Sequence, residues 1–164
     1  MITKVTKEEF MANIFGRPRL DQSYEVEQKT LARDIAIFAH KDQVRSKGIE
    51  KGSAYINHPM RVAATFPFDW VMFSAATLHD VIEDTEFTSK DLLDMGVDAS
   101  VVGIVNLLSK KPGQNYLDFI LGVRTNAMAE AVKIADIKDN MATLEEGTMK
   151  DKYRLSLYIL QETP

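Results

Sequence analysis

An all-α domain is the fold class this sequence predicts, and three observations point to it. Apolar residues recur at three- and four-residue spacing along several segments. No stretch alternates convincingly at period two, so no sheet is expected. Glycine and proline fall between the periodic segments and divide the chain into about seven or eight helices.

The elements follow in order. Residues 1–22 mix charges with Gly16 and Pro18 and read as an N-terminal arm with one short helix at 6–14. Residues 23–164 then form the domain. From Tyr24 to Arg45 the pattern is helical, with Leu31, Ile35, Phe38 and Ala39 on one face. Lys47 to Ser53 carries two glycines and three charges and reads as a loop. Pro59 suits the first turn of a helix through Phe66, and Pro67 ends it. Asp69 is placed to cap a helix from Trp70 to about Ile82. That segment, WVMFSAATLHDVI, is apolar nearly all round, which predicts a central, buried helix. Thr88 caps a short helix that stops at Gly96. Ser100 to Leu108 reads as another buried helix, and Pro112-Gly113 breaks the chain. Asn115 to Val123 and Ala127 to about Leu144 follow. Asp151 opens the last helix, through Gln161, with Tyr153, Leu157 and Leu160 facing inward.

Composition narrows the class of protein. A chain of 164 residues fits one domain, with a core large enough to need no staples. Hydrophobic residues at 45% and charged residues at 27% match a soluble globular protein. The lack of cysteine excludes a disulfide framework, a cysteine nucleophile and a thiolate zinc site, and it fits a reducing cytosol. Neither a signal peptide nor a membrane span is expected, so the expected location is cytoplasmic. A net charge of -4 argues against a nucleic-acid partner, which calls for a basic face. An anionic small substrate needs local cations instead. The sequence says nothing of oligomeric state.

The chemistry concentrates in His79-Asp80-Val81-Ile82-Glu83-Asp84, four ionisable side chains within six residues at the end of an apolar helix. Burying such groups is costly unless something compensates. A solvated helix end or a satisfied core histidine are the plain alternatives. The adjacency of His79 and Asp80 at the buried end, with carboxylates one turn later, favours metal ligation. A second signal is Tyr55-Ile56-Asn57-His58-Pro59. A histidine just before a proline sits at a helix N-terminus, where its ring can point along the axis into a neighbouring site; alone, capping is its default role. A third is Lys133-Ile134-Ala135-Asp136-Ile137-Lys138-Asp139-Asn140-Met141. Asp136 lies beside core-facing Ala131, Ile134 and Ala135 and needs a cation or several donors, whereas Asp139 and Asn140 are expected to face solvent or ligand. Together His58, His79, Asp80 and Asp136 make a two-nitrogen, two-oxygen set. It suits manganese, iron or zinc, with water in the open positions. Arg45 and Lys47 are the natural clamps for substrate phosphates, with Lys51 and Lys138 weaker candidates.

These residues resemble the HD superfamily, and within it the hydrolase domain of the RelA/SpoT family. The small stand-alone alarmone hydrolases, the metazoan SpoT homologues among them, are the nearest in kind. The likeness runs in order from His40 to Met141. The family's H-x-x-Q-x-R is His40-Lys41-Asp42-Gln43-Val44-Arg45, and its Y-I-x-H-P-x-x-V-A runs from Tyr55 to Ala63. Its A-x-L-H-D-x-x-E-D-T runs from Ala76 to Thr85, its threonine-lysine is Ser109-Lys110, and its K-x-A-D-x-x-x-N-M runs from Lys133 to Met141. The resemblance implies an HD-type helical fold with His58, His79, Asp80 and Asp136 on manganese or another divalent metal. It further implies Glu83 and Asp84 as catalytic carboxylates and Arg45, Asn140 and Thr143 on the nucleotide. His40 falls on a position that is more structural than metal-binding.

The activity implied is hydrolysis of the 3′-pyrophosphate of guanosine tetra- or pentaphosphate, or the adenosine equivalent. An HD phosphohydrolase acting on another nucleotide or dinucleotide phosphate is the alternative. A non-catalytic binding module is a third reading, and the intact Glu83-Asp84 pair argues against it. Three departures fall near the nucleotide and bear on its identity. Ser46-Lys47-Gly48 stands where the family has Lys-Ser-Gly, the loop before Tyr55 is longer, and Asp139 replaces a histidine. No synthetase or regulatory region is recognised, so alarmone synthesis is not expected.

Overall fold

The computed structural model describes residues 4–16 and 23–161, and the junction expected at residue 22 lies outside them. Among the described residues there are ten helices and no strand. They are α1 (Lys7–Phe15), α2 (Tyr24–Ala39), α3 (Asn57–Ala63), α4 (Trp70–Leu78), α5 (Val81–Asp84), α6 (Ser89–Asp94), α7 (Ala99–Leu108), α8 (Tyr116–Val123), α9 (Ala127–Thr143) and α10 (Thr148–Gln161). Local chemistry starts most of them. The side chains of Thr6, Asp69, Thr88, Asp98, Asn115 and Asn126 each accept a backbone N–H from the first turn they precede. Each such cap stabilises its helix by about 1 kcal/mol.

Helix α4 is the hub. Residues Phe73 to Leu78 are all buried, and the helix packs against α2, α3, α7 and α9. An apolar sequence with no polar stripe suits a rod surrounded on every side. Helix α1 lies on the outside of this bundle. Its Phe10 ring stacks on Phe38 of α2 at 4.1 Å and meets Phe87 edge-on, while Lys7 pairs with Asp91.

In two places the chain departs from the periodicity, and both build the site. Helix α2 stops at Ala39 instead of running on to Arg45. The chain turns through His40 and forms a small hairpin instead. Tyr55 N–H donates to the Gln43 carbonyl, Arg45 N–H to Ser53, and Gly52 N–H back to Arg45, around an isolated bridge between Val44 and Ala54. These pairings across the loop replace the helical ones. The second departure is the helix expected from Trp70 to Ile82, which breaks into α4 and α5 at His79-Asp80. His79 Nδ1 sits 2.7 Å from the Ala76 carbonyl, which ends α4 with a side-chain bond to the backbone.

The hairpin is fastened to the end of α9. Gly48 has φ +74°, and a Cβ there would stand 2.1 Å from the Thr143 carbonyl oxygen. Ile49 N–H donates to that same oxygen at 2.9 Å. Glycine is required for the turn and for the close approach alike.

Candidate metal centre and its cleft

Three helix ends bring ligand atoms of His58, His79 and Asp80 within 4.8 Å of one another, and the middle of α9 adds an oxygen of Asp136 beside both rings. His58 enters from the first turn of α3, His79 and Asp80 from the break between α4 and α5, and Asp136 from α9. His58 Nε2 lies 3.1 Å from Asp136 Oδ1 and 3.7 Å from Asp80 Oδ2. His79 Nε2 lies 3.0 Å from Asp80 Oδ2 and 3.6 Å from Asp136 Oδ1. Both histidines are 1% exposed and Asp136 is 4% exposed. A cation bonded to such atoms at about 2.0–2.2 Å holds its ligands about 3.0–3.5 Å apart, so the spacing fits one.

The outer nitrogens fix the inner ones. His79 Nδ1 donates to the Ala76 carbonyl, which leaves Nε2 with its lone pair facing the two carboxylates. That Nε2 is buried and has no hydrogen-bond partner among the described residues. His58 Nδ1 bonds Asp139 Oδ2 at 2.7 Å, and Arg61 grips Asp139 through Nε and Nη2. On the other side Lys133 Nζ reaches Asp136 Oδ2 at 2.8 Å and Asn140 Nδ2 reaches Asp136 Oδ1 at 2.6 Å. Residues 133, 136 and 140 share one face of α9 by their three- and four-residue spacing.

Electrostatics point the same way. Burial alone would push both imidazoles down, but the carboxylates outweigh it. Hydrogen bonds to Asp136 and Asp139 raise His58, and the charge of Asp80 raises His79 well above the ordinary histidine value. Burial would push Asp136 up, and Lys133 with the two rings holds it well below the usual carboxylate range. The site therefore demands positive charge at its centre. A divalent cation meets that demand while the imidazoles stay neutral. The donor set, with no sulfur, suits a hard or borderline ion such as manganese, iron or zinc.

A cleft of about 530 Å³ opens above this centre. Asp80, Asp136, Glu83 and Asp84 line its floor, and Arg45, Lys47, Lys110, Lys133 and Lys152 supply its cations. Glu83 accepts the backbone N–H of Lys110 at 2.8 Å, just past Ser109 at the end of α7. The Tyr55 hydroxyl donates to Asp80 Oδ2 at 2.6 Å and lies 3.3 Å from Asp84 Oδ2. Partial burial in the cleft wall raises Glu83 and Asp84 above ordinary carboxyl values, against the opposing bonds from Lys110 and Tyr55. Arg45 Nη2 donates to Asn140 Oδ1 at 2.8 Å and to Thr143 Oγ1 at 3.3 Å. Thr143 is buried behind Arg45, whereas Ser46 and Lys47 are exposed on the rim.

The residues singled out by sequence thus gather in one place, with three amendments. Asp139 faces neither solvent nor ligand. It backs His58, a partner 81 residues away that local spacing cannot disclose. Lys51 and Lys138 are exposed and do not line the cleft. Their places are taken by Lys110, Lys133 and Lys152, of which Lys133 had a signal in its spacing from Asp136 and Lys152 had none.

No family model matches the chain. Among curated proteins, a guanosine-3′,5′-bis(diphosphate) 3′-pyrophosphohydrolase of Haemophilus influenzae is 36% identical over 135 residues, 73% of this chain and 19% of that protein. One of the same name from Vibrio cholerae is 35% identical over 156 residues, 87% of this chain and 20% of that protein. The bifunctional (p)ppGpp synthase/hydrolase SpoT of Escherichia coli is 37% identical over 150 residues, 83% of this chain and 19% of that protein. The chain therefore spans about a fifth of the length of the curated relatives it matches. A solved structure, described as a metazoan orthologue of SpoT that hydrolyses ppGpp, superposes with a TM-score of 0.60. It covers 88% of this chain and 85% of its own at 22% identity, a likeness that shows the fold alone. Among the described residues no helix is long and apolar enough to cross a membrane. Over most of its own length the chain is thus similar to proteins named as (p)ppGpp 3′-pyrophosphohydrolases, and its helical fold matches that of the metazoan SpoT orthologue.

Proposed function

We propose that this domain removes the 3′-pyrophosphate from guanosine 3′,5′-bis(diphosphate), its pentaphosphate or the adenosine equivalent, using manganese held by His58, His79, Asp80 and Asp136. The observation that carries the reading is the junction of two neutral-ring nitrogens and two carboxylates at the floor of a cleft whose rim is cationic. The bound ion supplies Lewis-acid charge and an acidified water near neutral pH.

The chain's own groups divide the remaining work. Glu83 and Asp84 stand beside the centre with raised proton affinity, which suits them to orient the attacking water and take its proton. The water oxygen joins the phosphorus attached to the 3′ oxygen, and that P–O bond breaks. Intact pyrophosphate leaves, and the nucleoside 3′ oxygen ends as a hydroxyl after gaining the proton. Arg45, braced by Asn140 and Thr143, binds the nucleotide on one side, with Ser46 and Lys47 at the rim. Lys110 and Lys152 supply charge around the cleft for the 5′ phosphates.

The test is pyrophosphate release from guanosine and adenosine tetraphosphates, with and without manganese, followed by phosphorus NMR. Pyrophosphate as the first product in the presence of metal supports the reading. Orthophosphate from the start, or cleavage of the 5′ chain alone, replaces it with a phosphohydrolase of another nucleotide.

A further inference from the structure

We propose that Gln43 is a positioning residue for this reaction: gripped by His40, it anchors the main chain of Asp84 and so aims that carboxylate at the centre. The inference rests on the reading above, since Asp84 is catalytic only there.

Asp84 is the last residue of the four-residue helix α5, and Thr85 after it is extended, with φ −137° and ψ −178°. The Asp84 carbonyl therefore falls beyond the last turn, where the helix offers it no N–H. Gln43 Nε2 donates to it at 2.8 Å across the molecule. The amide can sit only one way round. A carbonyl oxygen only accepts, so the NH₂ must face Asp84 and Oε1 must face His40. His40 Nδ1 lies 2.8 Å from Gln43 Oε1 and is thus the protonated nitrogen. Its Nε2 is buried without a partner among the described residues, which fits a neutral ring with the proton on Nδ1 better than a charged ring with a buried, unbonded N–H. His40 is itself fully enclosed and packs its ring 4.9 Å from that of Tyr55.

The backbone joins this grip to the other contact on Asp84. Tyr55 N–H donates to the Gln43 carbonyl at 3.0 Å, closing the base of the hairpin. Gln43 holds the main chain of Asp84, and the Tyr55 hydroxyl sits 3.3 Å from its side chain. Neither side-chain bond of Gln43 goes to His58, His79, Asp80 or Asp136. Loss of the Gln43 amide should therefore misplace a carboxylate and spare the metal ligands. Misplacement of about 1 Å is enough to cost about 10²-fold in rate.

The experiment compares Gln43→Leu, which loses both bonds, with Gln43→Glu, which keeps an acceptor for His40 and loses the donor to Asp84. Each is made alone and in an Asp84→Asn background. Turnover on guanosine tetraphosphate, KM, manganese content, melting temperature and hydrogen exchange over residues 81–86 are measured. The expected result is a kcat lower by about 30- to 100-fold, a KM within about threefold of wild type and full manganese content. Exchange over 81–86 should quicken in both variants. In the Asp84→Asn background the second change should cost nothing further, because the carboxylate it aims is gone. Wild-type kcat in either folded variant, or losses that multiply in the double variant, would overturn the role. If Gln43→Leu fails to fold, Gln43→Glu decides alone. If the wild-type protein releases no pyrophosphate, the proposed function fails. Exchange over 81–86 then still tests the anchor, and an unchanged rate refutes it.

Discussion

His58 Nδ1 and Asp139 Oδ2 meet at 2.7 Å, and Arg61 closes on both oxygens of the same carboxylate. Burial works to raise Asp139, but His58 and Arg61 together hold it well below the usual carboxylate range. It therefore stays an acceptor and keeps the His58 proton on Nδ1. Asp139→Ala should weaken manganese binding by about 10- to 100-fold, the usual effect of losing the group behind a ligating histidine. Manganese titration of the apoprotein checks it, and unchanged affinity would mean that helix α3 alone orients the ring.

The centre itself should be less forgiving. His79→Ala and Asp80→Ala should each abolish both bound metal and activity. Elemental analysis is the deciding measurement, since a variant with full metal occupancy would remove its residue from the ligand set. A chelator should lower the melting temperature of the wild-type protein, because an ion bound only to the folded state stabilises that state.

Chemistry and binding should separate at the next two residues. Glu83→Gln and Asp84→Asn should keep their metal and most substrate affinity while turnover falls at least about 100-fold. Single-turnover kinetics with enzyme in saturating excess over nucleotide will tell. Near-normal rates in both variants would exclude these carboxylates from proton transfer.

Arg45→Ala should weaken nucleotide binding by about 1.5–3 kcal/mol, the range for a hydrogen bond to a charged group. The bond cleaved should stay the same, because Arg45 bonds Asn140 and Thr143 and none of the four converging side chains. Phosphorus NMR of the products reads the position and a binding isotherm reads the affinity.

Acid stability should report the anchor of α1. Part burial would raise Asp91, but the Lys7 ammonium and Thr88 bring it down to about 2. A carboxyl lowered on folding contributes stability above its unfolded value near 3.8, and that stability is lost as pH falls toward about 2. Lys7→Met should therefore destabilise the protein by about 1 kcal/mol at neutral pH, with the difference shrinking below about pH 4. Denaturant melts across that range measure it, and a difference that grows on acidification has the wrong sign.

The meeting of His58, His79, Asp80 and Asp136 was legible in the sequence through local signals joined by the ordered motif resemblance. His79-Asp80 ends an apolar helix, His58 precedes Pro59, and Asp136 lies beside the apolar Ala131, Ile134 and Ala135. The helical class was legible from periodicity in the same way. What periodicity does not carry is pairing across distance. The residues from His40 to Arg45 continue the α2 pattern, yet bonds to Gly52, Ser53 and Tyr55 turn them into a hairpin. Asp139 was expected to face solvent or ligand because its partners, His58 and Arg61, lie on another helix. Lys152 reaches the cleft only because α10 packs beside α9, a placement that no motif marks.

Arg61 does more than back Asp139, for its Nη2 also donates at 2.8 Å to Glu50 in the exposed hairpin loop. One unbroken line thus runs from the surface to a buried ring: Glu50, Arg61, Asp139, His58. Sequence drift in that loop is not energetically private. Losing or moving Glu50 leaves Arg61 wholly to Asp139, changes the charge seen by His58 and retunes the ion's grip from about three side chains away. A change in the outer loop should therefore be felt at the buried ring as well as at the surface.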